Sequence, residues 1–174
     1  NLSQAQQRAL AGRLLVDAGV GELAAQLDAP VVRLSLVQQR HVAIIRAAAA
    51  GPRLLCLDEP TTGLNDEDSG CLIRHLRQEA EKRALIVSVH NQQHARQLGG
   101  DLVLLAGGRI QERRPTHAFF AAPLSQAGRE FIQGGTCAVP APDASPEELD
   151  EAVTPPPPLP SAAKTYVSDA FGPR

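Results

Sequence analysis

The sequence holds no methionine, not even at position 1, and its first residues run straight into a helical pattern. An incomplete chain is the expectation, although processing also removes initiators. No apolar run approaches the roughly 20 residues that a membrane-spanning helix needs. Asn1-Leu2-Ser3-Gln4 has neither the basic nor the apolar region of a signal peptide. The chain is therefore expected neither to span a bilayer nor to be exported. The three cysteines, Cys56, Cys71 and Cys137, share no metal-ligand spacing, and their odd number argues for free thiols in a reducing compartment over a disulfide framework. Charge of neither sign dominates: 17 basic residues stand against 19 acidic ones, net -2, and the basic ones are scattered. That leaves no concentrated patch of the kind nucleic acid demands. Lysine is scarce, and Lys82 and Lys164 are the only two. Neither completes a Gly-x-x-x-x-Gly-Lys-Ser/Thr loop, in which glycines let the backbone approach a phosphate and the lysine reaches it; before Lys164, Pro158 and Ala163 stand at both glycine positions.

What is present suffices for one core. At 174 residues and 43% hydrophobic, one globular domain with a tail is expected, because small domains bury a smaller share of their surface. Apolar residues at helical spacing predict a helix over 3–20, with Ser3 as N-cap and Gly19 as stop, and a short helix over 22–27. A third, capped helix of about four turns follows Leu34-Ser35 and ends at Gly51-Pro52. The short apolar runs over 54–57 and 84–89 read as buried parallel strands. Helices are expected over 66–83, 92–98, 116–121 and 125–133, and strands over 101–106 and 109–112, joined at Gly107-Gly108. Alternation of strands and helices implies an α/β domain with a mainly parallel sheet, here placed over residues 1–134. From 135 to 174 the composition changes: nine of the 14 prolines lie between Pro140 and Pro173, beside Glu147, Glu148, Asp150 and Glu151. Such a segment cannot bury enough apolar surface to order itself, and Pro155 to Pro158 suggests a polyproline II linker.

Chemistry concentrates at the ends of the two apolar runs. Asp58-Glu59 closes the first and His90 the second. Carboxylates at the C-terminal end of a parallel strand stand at the crevice where open α/β sheets bind ligands. Asp58 could hold Mg²⁺, which prefers oxygen ligands shared between one or two carboxylates and phosphates. Glu59 could polarise an attacking water as general base. His90, emerging on the same edge, could contact a phosphate. Each residue alone reads as readily as a solvated strand end or a packed histidine; their common placement is what counts. His41, His75, His94 and His117 have no such placement and read as structural or exposed.

Taken in order, these segments resemble the ATP-binding cassette (ABC) family over about 130 of the 174 positions. Leu34-Ser35-Leu36-Val37-Gln38-Gln39-Arg40, followed by Val42 to Ala47, is similar to the signature motif LSGGQ-QR and its helix. Leu54 to Glu59 resembles the Walker B strand, with Pro60 to Asn65 as the loop after it. Val87-Ser88-Val89-His90-Asn91 resembles the switch-histidine segment, and Asp101 to Ile110 the strand pair that follows. The resemblance implies a P-loop NTPase-like fold, ATP and Mg²⁺ as cofactors, Asp58 as magnesium ligand, Glu59 as catalytic base and His90 as γ-phosphate sensor. Two cassettes sandwich two nucleotides in such proteins, so Ser35 and Gln38 would face the nucleotide of the other subunit.

The resemblance also has gaps. The phosphate loop and the glutamine loop are not in the sequence, which fits an N-terminally truncated chain better than a loop lost within the domain. Leu36 and Val37 replace both signature glycines, and Asn65 replaces the usual aspartate after Walker B. The expected function is ATP hydrolysis as the nucleotide-binding subunit of an ABC-type membrane transporter, with import preferred to export. The expected partners are a second ABC subunit and an integral membrane transport subunit, with no nucleic acid. The expected location is cytoplasmic, peripheral at the inner face of the cell membrane. The alternative is a catalytically weak cassette acting as a regulatory or scaffolding subunit. A soluble cassette of the translation or DNA-repair type would show basic surfaces or long inserts, and neither is visible.

Overall fold

The computed structural model describes residues 2–137 and Val139, so the expected proline-rich linker lies outside the described residues. Helix α1 (Gln4–Asp17) starts where Ser3 Oγ accepts from the Gln6 N–H and the Gln6 side chain accepts from the Ser3 N–H. This reciprocal cap satisfies two amides that the first turn would otherwise leave unpaired. The chain leaves α1 through Gly19 at φ 78°, a left-handed position that glycine adopts without a Cβ penalty. A 3-10 helix at Gly21–Gln26 replaces the short helix expected over 22–27. Its Leu23 packs with Leu15, Ala18 and Val20, and this cluster meets Val42 and Ile45 of α2 (Leu36–Ala49).

Strand β1 (Leu54–Leu57) pairs in parallel with β2 (Ala84–Val87), Leu55 opposite Leu85 and Leu57 opposite Val87. Helix α3 (Asp66–Ala80) connects them as a crossover. It ends three residues before the expected Arg83. Arg83 instead pairs with Glu79 and donates from Nη1 to the carbonyls of Ala48 and Pro52, tying the end of α2 to the entry of β1. Ile44 of α2 and Leu72 and Leu76 of α3 form the second apolar cluster, against Leu57, Leu85 and Val87. Leu72 and Leu76 are fully buried, each contributing about 1.5–3 kcal/mol over an exposed position.

The expectation that both strands are buried on both faces is corrected. Leu54 is 46% exposed and Ile86 61% exposed. Helices cover one face of the β1–β2 pair, and among the described residues no layer covers the other. Alternation therefore shows where the sequence reads as a continuous apolar run.

Beyond α4 (Gln92–Leu98), strands β3 (Asp101–Ala106) and β4 (Arg109–Pro115) form an antiparallel hairpin, a second two-stranded sheet. β4 runs three residues past the expected end because Arg113, Arg114 and Pro115 still pair with Val103, Leu102 and Asp101. Helices α5 (Thr116–Ala121) and α6 (Gln126–Gly134) close the domain over Leu104, Phe119, Phe120 and Ala127. No helix among the described residues is long and apolar enough to cross a membrane.

Candidate functional site

The parallel register decides which groups meet. Leu57 lies opposite Val87, so the next residues, Asp58 and Ser88, leave the sheet side by side, and the Ser88 N–H donates to the Leu57 carbonyl at 3.0 Å. Ser88 Oγ donates to Asp58 Oδ1 at 2.5 Å and accepts from the Glu59 N–H at 2.9 Å. One hydroxyl thus fixes both the first carboxylate and the backbone of the second. Glu59 takes φ 46°, the positive value held by a side-chain-bearing residue among the described ones. Such a conformation costs about 1–3 kcal/mol and persists only where its surroundings hold it. Here the Ser88 hydroxyl holds its N–H, and its carbonyl accepts from the Thr62 N–H at 3.2 Å.

The strained turn aims the Glu59 carboxylate toward β2. Oε1 lies 3.3 Å from His90 Nε2, and Oε2 accepts from Thr62 Oγ1 at 2.8 Å. His90 is almost wholly exposed and Glu59 only partly so. A carboxylate has about four lone-pair sites, so two contacts leave Glu59 able to accept a proton from water. Thr61, inside the same turn, is buried with its Oγ1 3.0 Å from His94 Nδ1. This contact braces the turn against α4, whose N-cap Asn91 follows His90 directly.

Asp58, Glu59 and His90 therefore share one edge, as the sequence led us to expect. Ser35 and Gln38 form a separate group at the start of α2. Their side chains cap each other, Ser35 Oγ accepting from the Gln38 N–H at 3.3 Å and Gln38 Oε1 from the Ser35 N–H at 3.0 Å. A link to the carboxylate edge runs through the next residue: a Cβ at Gly63, in the turn after Glu59, would lie 3.4 Å from Leu36 Cδ2. Asn65 serves as N-cap of α3, Oδ1 accepting from the Asp68 N–H at 2.8 Å, a role asparagine fills as well as aspartate.

Sequence reasoning passed over Ser88 and Thr62. Sliding the two apolar runs into parallel register would have set Ser88 beside Asp58. Of the remaining histidines, His94 is buried in the brace just described, His41 and His75 are buried against each other, and His117 is exposed.

The oxygen donors of Asp58, Glu59 and Ser88 suit Mg²⁺ chemically. Among the described residues no three His, Cys, Asp or Glu side chains gather into a metal cage.

No family model matches the chain. Among curated proteins it is 37% identical over 102 residues to the L-cystine transport system ATP-binding protein of Escherichia coli, covering 58% of this chain and 41% of that protein. It is 34% identical over 134 residues to the histidine/lysine/arginine/ornithine transport ATP-binding protein of the same organism, covering 76% of this chain and 51% of that protein. The octopine permease ATP-binding protein of Agrobacterium tumefaciens is 35% identical over 117 residues, 66% of this chain and 45% of its own length. The chain spans about half the length of the curated relatives it matches. A solved ATP-binding cassette dimer, in a post-hydrolysis state bound to ADP and Pi, superimposes with TM-score 0.54 at 27% identity, covering 67% of this chain and 50% of that one. Another cassette of an ABC transporter, at 17% identity and TM-score 0.57, covers 77% of this chain and 49% of its own, and supports the fold alone. The chain is thus similar, over about half of their length, to the ATP-binding subunits of ABC transporters and to solved ATP-binding cassettes, and it forms part of an α/β domain of that kind.

Proposed function

We propose that this chain carries the water-activating edge of the ATP-hydrolysing subunit of a membrane transporter. One observation carries the reading: Asp58, Glu59 and His90 converge at the C-terminal ends of two parallel strands, with Ser88 bridging the first two. Glu59 acts as general base toward the attacking water. Its strained turn and its contacts to Thr62 and His90 hold the carboxylate in one orientation before the nucleotide arrives. His90 meets the γ-phosphate from the exposed side. Asp58, with Oδ1 already engaged by Ser88, would hold Mg²⁺ through its other oxygen or through water. When bound, that ion supplies charge neutralisation of the phosphate oxygens.

Ser35 and Gln38 stand at the start of α2, where backbone amides and the helix dipole favour anions. In our reading they serve the nucleotide of a second cassette, so the working unit is a dimer. A membrane-spanning partner completes the transporter, and the protein sits on the cytoplasmic face beside it. The relatives are named for transport of cystine, basic amino acids and octopine, which favours uptake of a small amino-acid-like solute. Those same names give no support to the regulatory or scaffolding alternative.

The test is Mg²⁺-dependent ATP hydrolysis by the full-length protein, alone and with its membrane subunit. Hydrolysis that depends on Asp58, Glu59 and His90 supports the reading. Full hydrolysis in the triple alanine variant would place the chemistry elsewhere.

A further inference from the structure

Two buried histidines outside the carboxylate edge face each other between α2 and α3. His41 is 2% exposed and His75 3%. Their Nδ1 atoms lie 3.1 Å apart, with ring planes 12° from parallel and centroids separated by 5.0 Å. Two imidazole nitrogens at this distance need one proton between them, so one ring donates Nδ1–H and the other accepts through a bare Nδ1. The arrangement tolerates a neutral or a singly charged pair. It does not tolerate two charged rings, because both Nδ1 atoms would then carry hydrogens pointed at each other.

The charged groups around the pair come from three elements. Glu22 faces it from the 3-10 helix, Asp68, Arg74 and Glu79 from α3, and Lys82 from just beyond α3. Glu79 is already engaged by Lys82 and Arg83. A cavity of about 420 Å³, lined by both histidines with Ser35, Gln38, Asp68 and Arg74, opens beside the rings and gives water and protons a route to them.

Position gives the pair its leverage. His41 lies six residues after Ser35, about 9 Å along the helix. The next clamp between α2 and α3 is Ile44 against Leu72 and Leu76, about one turn further on.

We propose that the His41–His75 pair is a proton-sensitive latch, fastening the Ser35 end of α2 to α3 while the rings share a hydrogen bond and releasing it when both are charged. Burial drives both rings toward the neutral form. It outweighs Glu22 and Asp68 at His41, and at His75, with the added repulsion of His41, it brings the pKa down to about 4. Both folded values lie below the ordinary 6.5. The latch's contribution is therefore fully present above that pH, and it is lost as pH falls toward about 4. If Ser35 meets a nucleotide as proposed above, acid would loosen that element selectively, but the latch itself does not depend on that reading.

Hydrogen exchange of the full-length protein between pH 7.5 and 4.5, corrected for intrinsic rates, tests it. Amides of residues 39–43 should lose protection as pH drops, by up to about tenfold per pH unit for each proton taken up. In a His41→Leu, His75→Leu double variant the same amides should show little of this dependence. An equal loss in both proteins would overturn the latch. Should the variant not fold, ring ¹⁵N shifts of the unaltered protein decide the matter. Complementary tautomers with suppressed second protonation support the latch, and two rings titrating independently near 6.5 refute it.

Discussion

The Ser88 hydroxyl bridges Asp58 Oδ1, at 2.5 Å, and the Glu59 amide, at 2.9 Å, coupling the two acidic residues that follow β1 to the residue that follows β2. Ser88→Ala removes both contacts and relaxes the positive φ of Glu59 that they support. We expect ATP turnover of the full-length protein to fall roughly tenfold, equivalent to about 1.4 kcal/mol. Ser88→Thr, which keeps the hydroxyl, should restore most of it. Loss in both variants would show that size and not hydrogen bonding matters there.

Asp58→Asn should act differently. Removing a charge from an oxygen site weakens Mg²⁺ more than it disturbs the fold. The magnesium concentration giving half-maximal hydrolysis should therefore rise, while the melting temperature stays near that of the unaltered protein. An unchanged magnesium dependence would remove Asp58 from the metal site.

By the resemblance of Leu34 to Arg40 to the ATP-binding cassette signature, Leu36 and Val37 stand at glycine positions, and Leu36 lies against Gly63, which sits at φ 81°. Changing both to glycine should cost stability, roughly 1 kcal/mol per glycine at interior helical positions and less at the first turn. If their bulk keeps two subunits apart, the double variant should dimerise more tightly with ATP and turn over faster. If Leu36 instead belongs to the packing around Gly63, both stability and turnover should fall. Turnover measured against enzyme concentration, with melting temperature alongside, separates these outcomes.

Glu112 is buried beneath α6, accepting from the Leu124 and Ser125 N–H groups and the Ser125 hydroxyl. Burial pushes its carboxyl upward, but these donors, with Arg114, hold it below its ordinary value of 4.5. Its contribution is thus present above that pH and lost as pH falls through the lowered value. A Cβ at Gly128 would lie 2.8 Å from Glu112 Oε2 and 2.9 Å from Ser125 Oγ. Gly128→Ala should therefore destabilise the protein by about 1–2 kcal/mol, the strained buried hydrogen bonds outweighing the gain in helix propensity. Chemical denaturation at pH 7 checks the sign, and stabilisation would show that Glu112 moves aside freely.

Local signals carried most of the fold. Ser3 and Ser35 cap their helices as expected, and α4 and α5 span the expected 92–98 and 116–121. The edge holding Asp58, Glu59 and His90 was also legible, because each ends an apolar run and parallel strands align such ends. What local patterns do not encode is pairing at long range. The exposure of Leu54 and Ile86 depends on a layer that covers one sheet face only. Ser88 mattered through register, and His41 with His75 through the crossing of two helices 34 residues apart in sequence.

The most direct measurement of the central claim is single-turnover hydrolysis by the Glu59→Gln variant of the full-length protein, with ATP binding measured in parallel. Glutamine keeps the size and most hydrogen bonds of the side chain but cannot take a proton from water. We predict unchanged binding with hydrolysis slowed by roughly 10² to 10⁴, the range attributed to general-base catalysis. Hydrolysis at the rate of the unaltered protein would contradict the account.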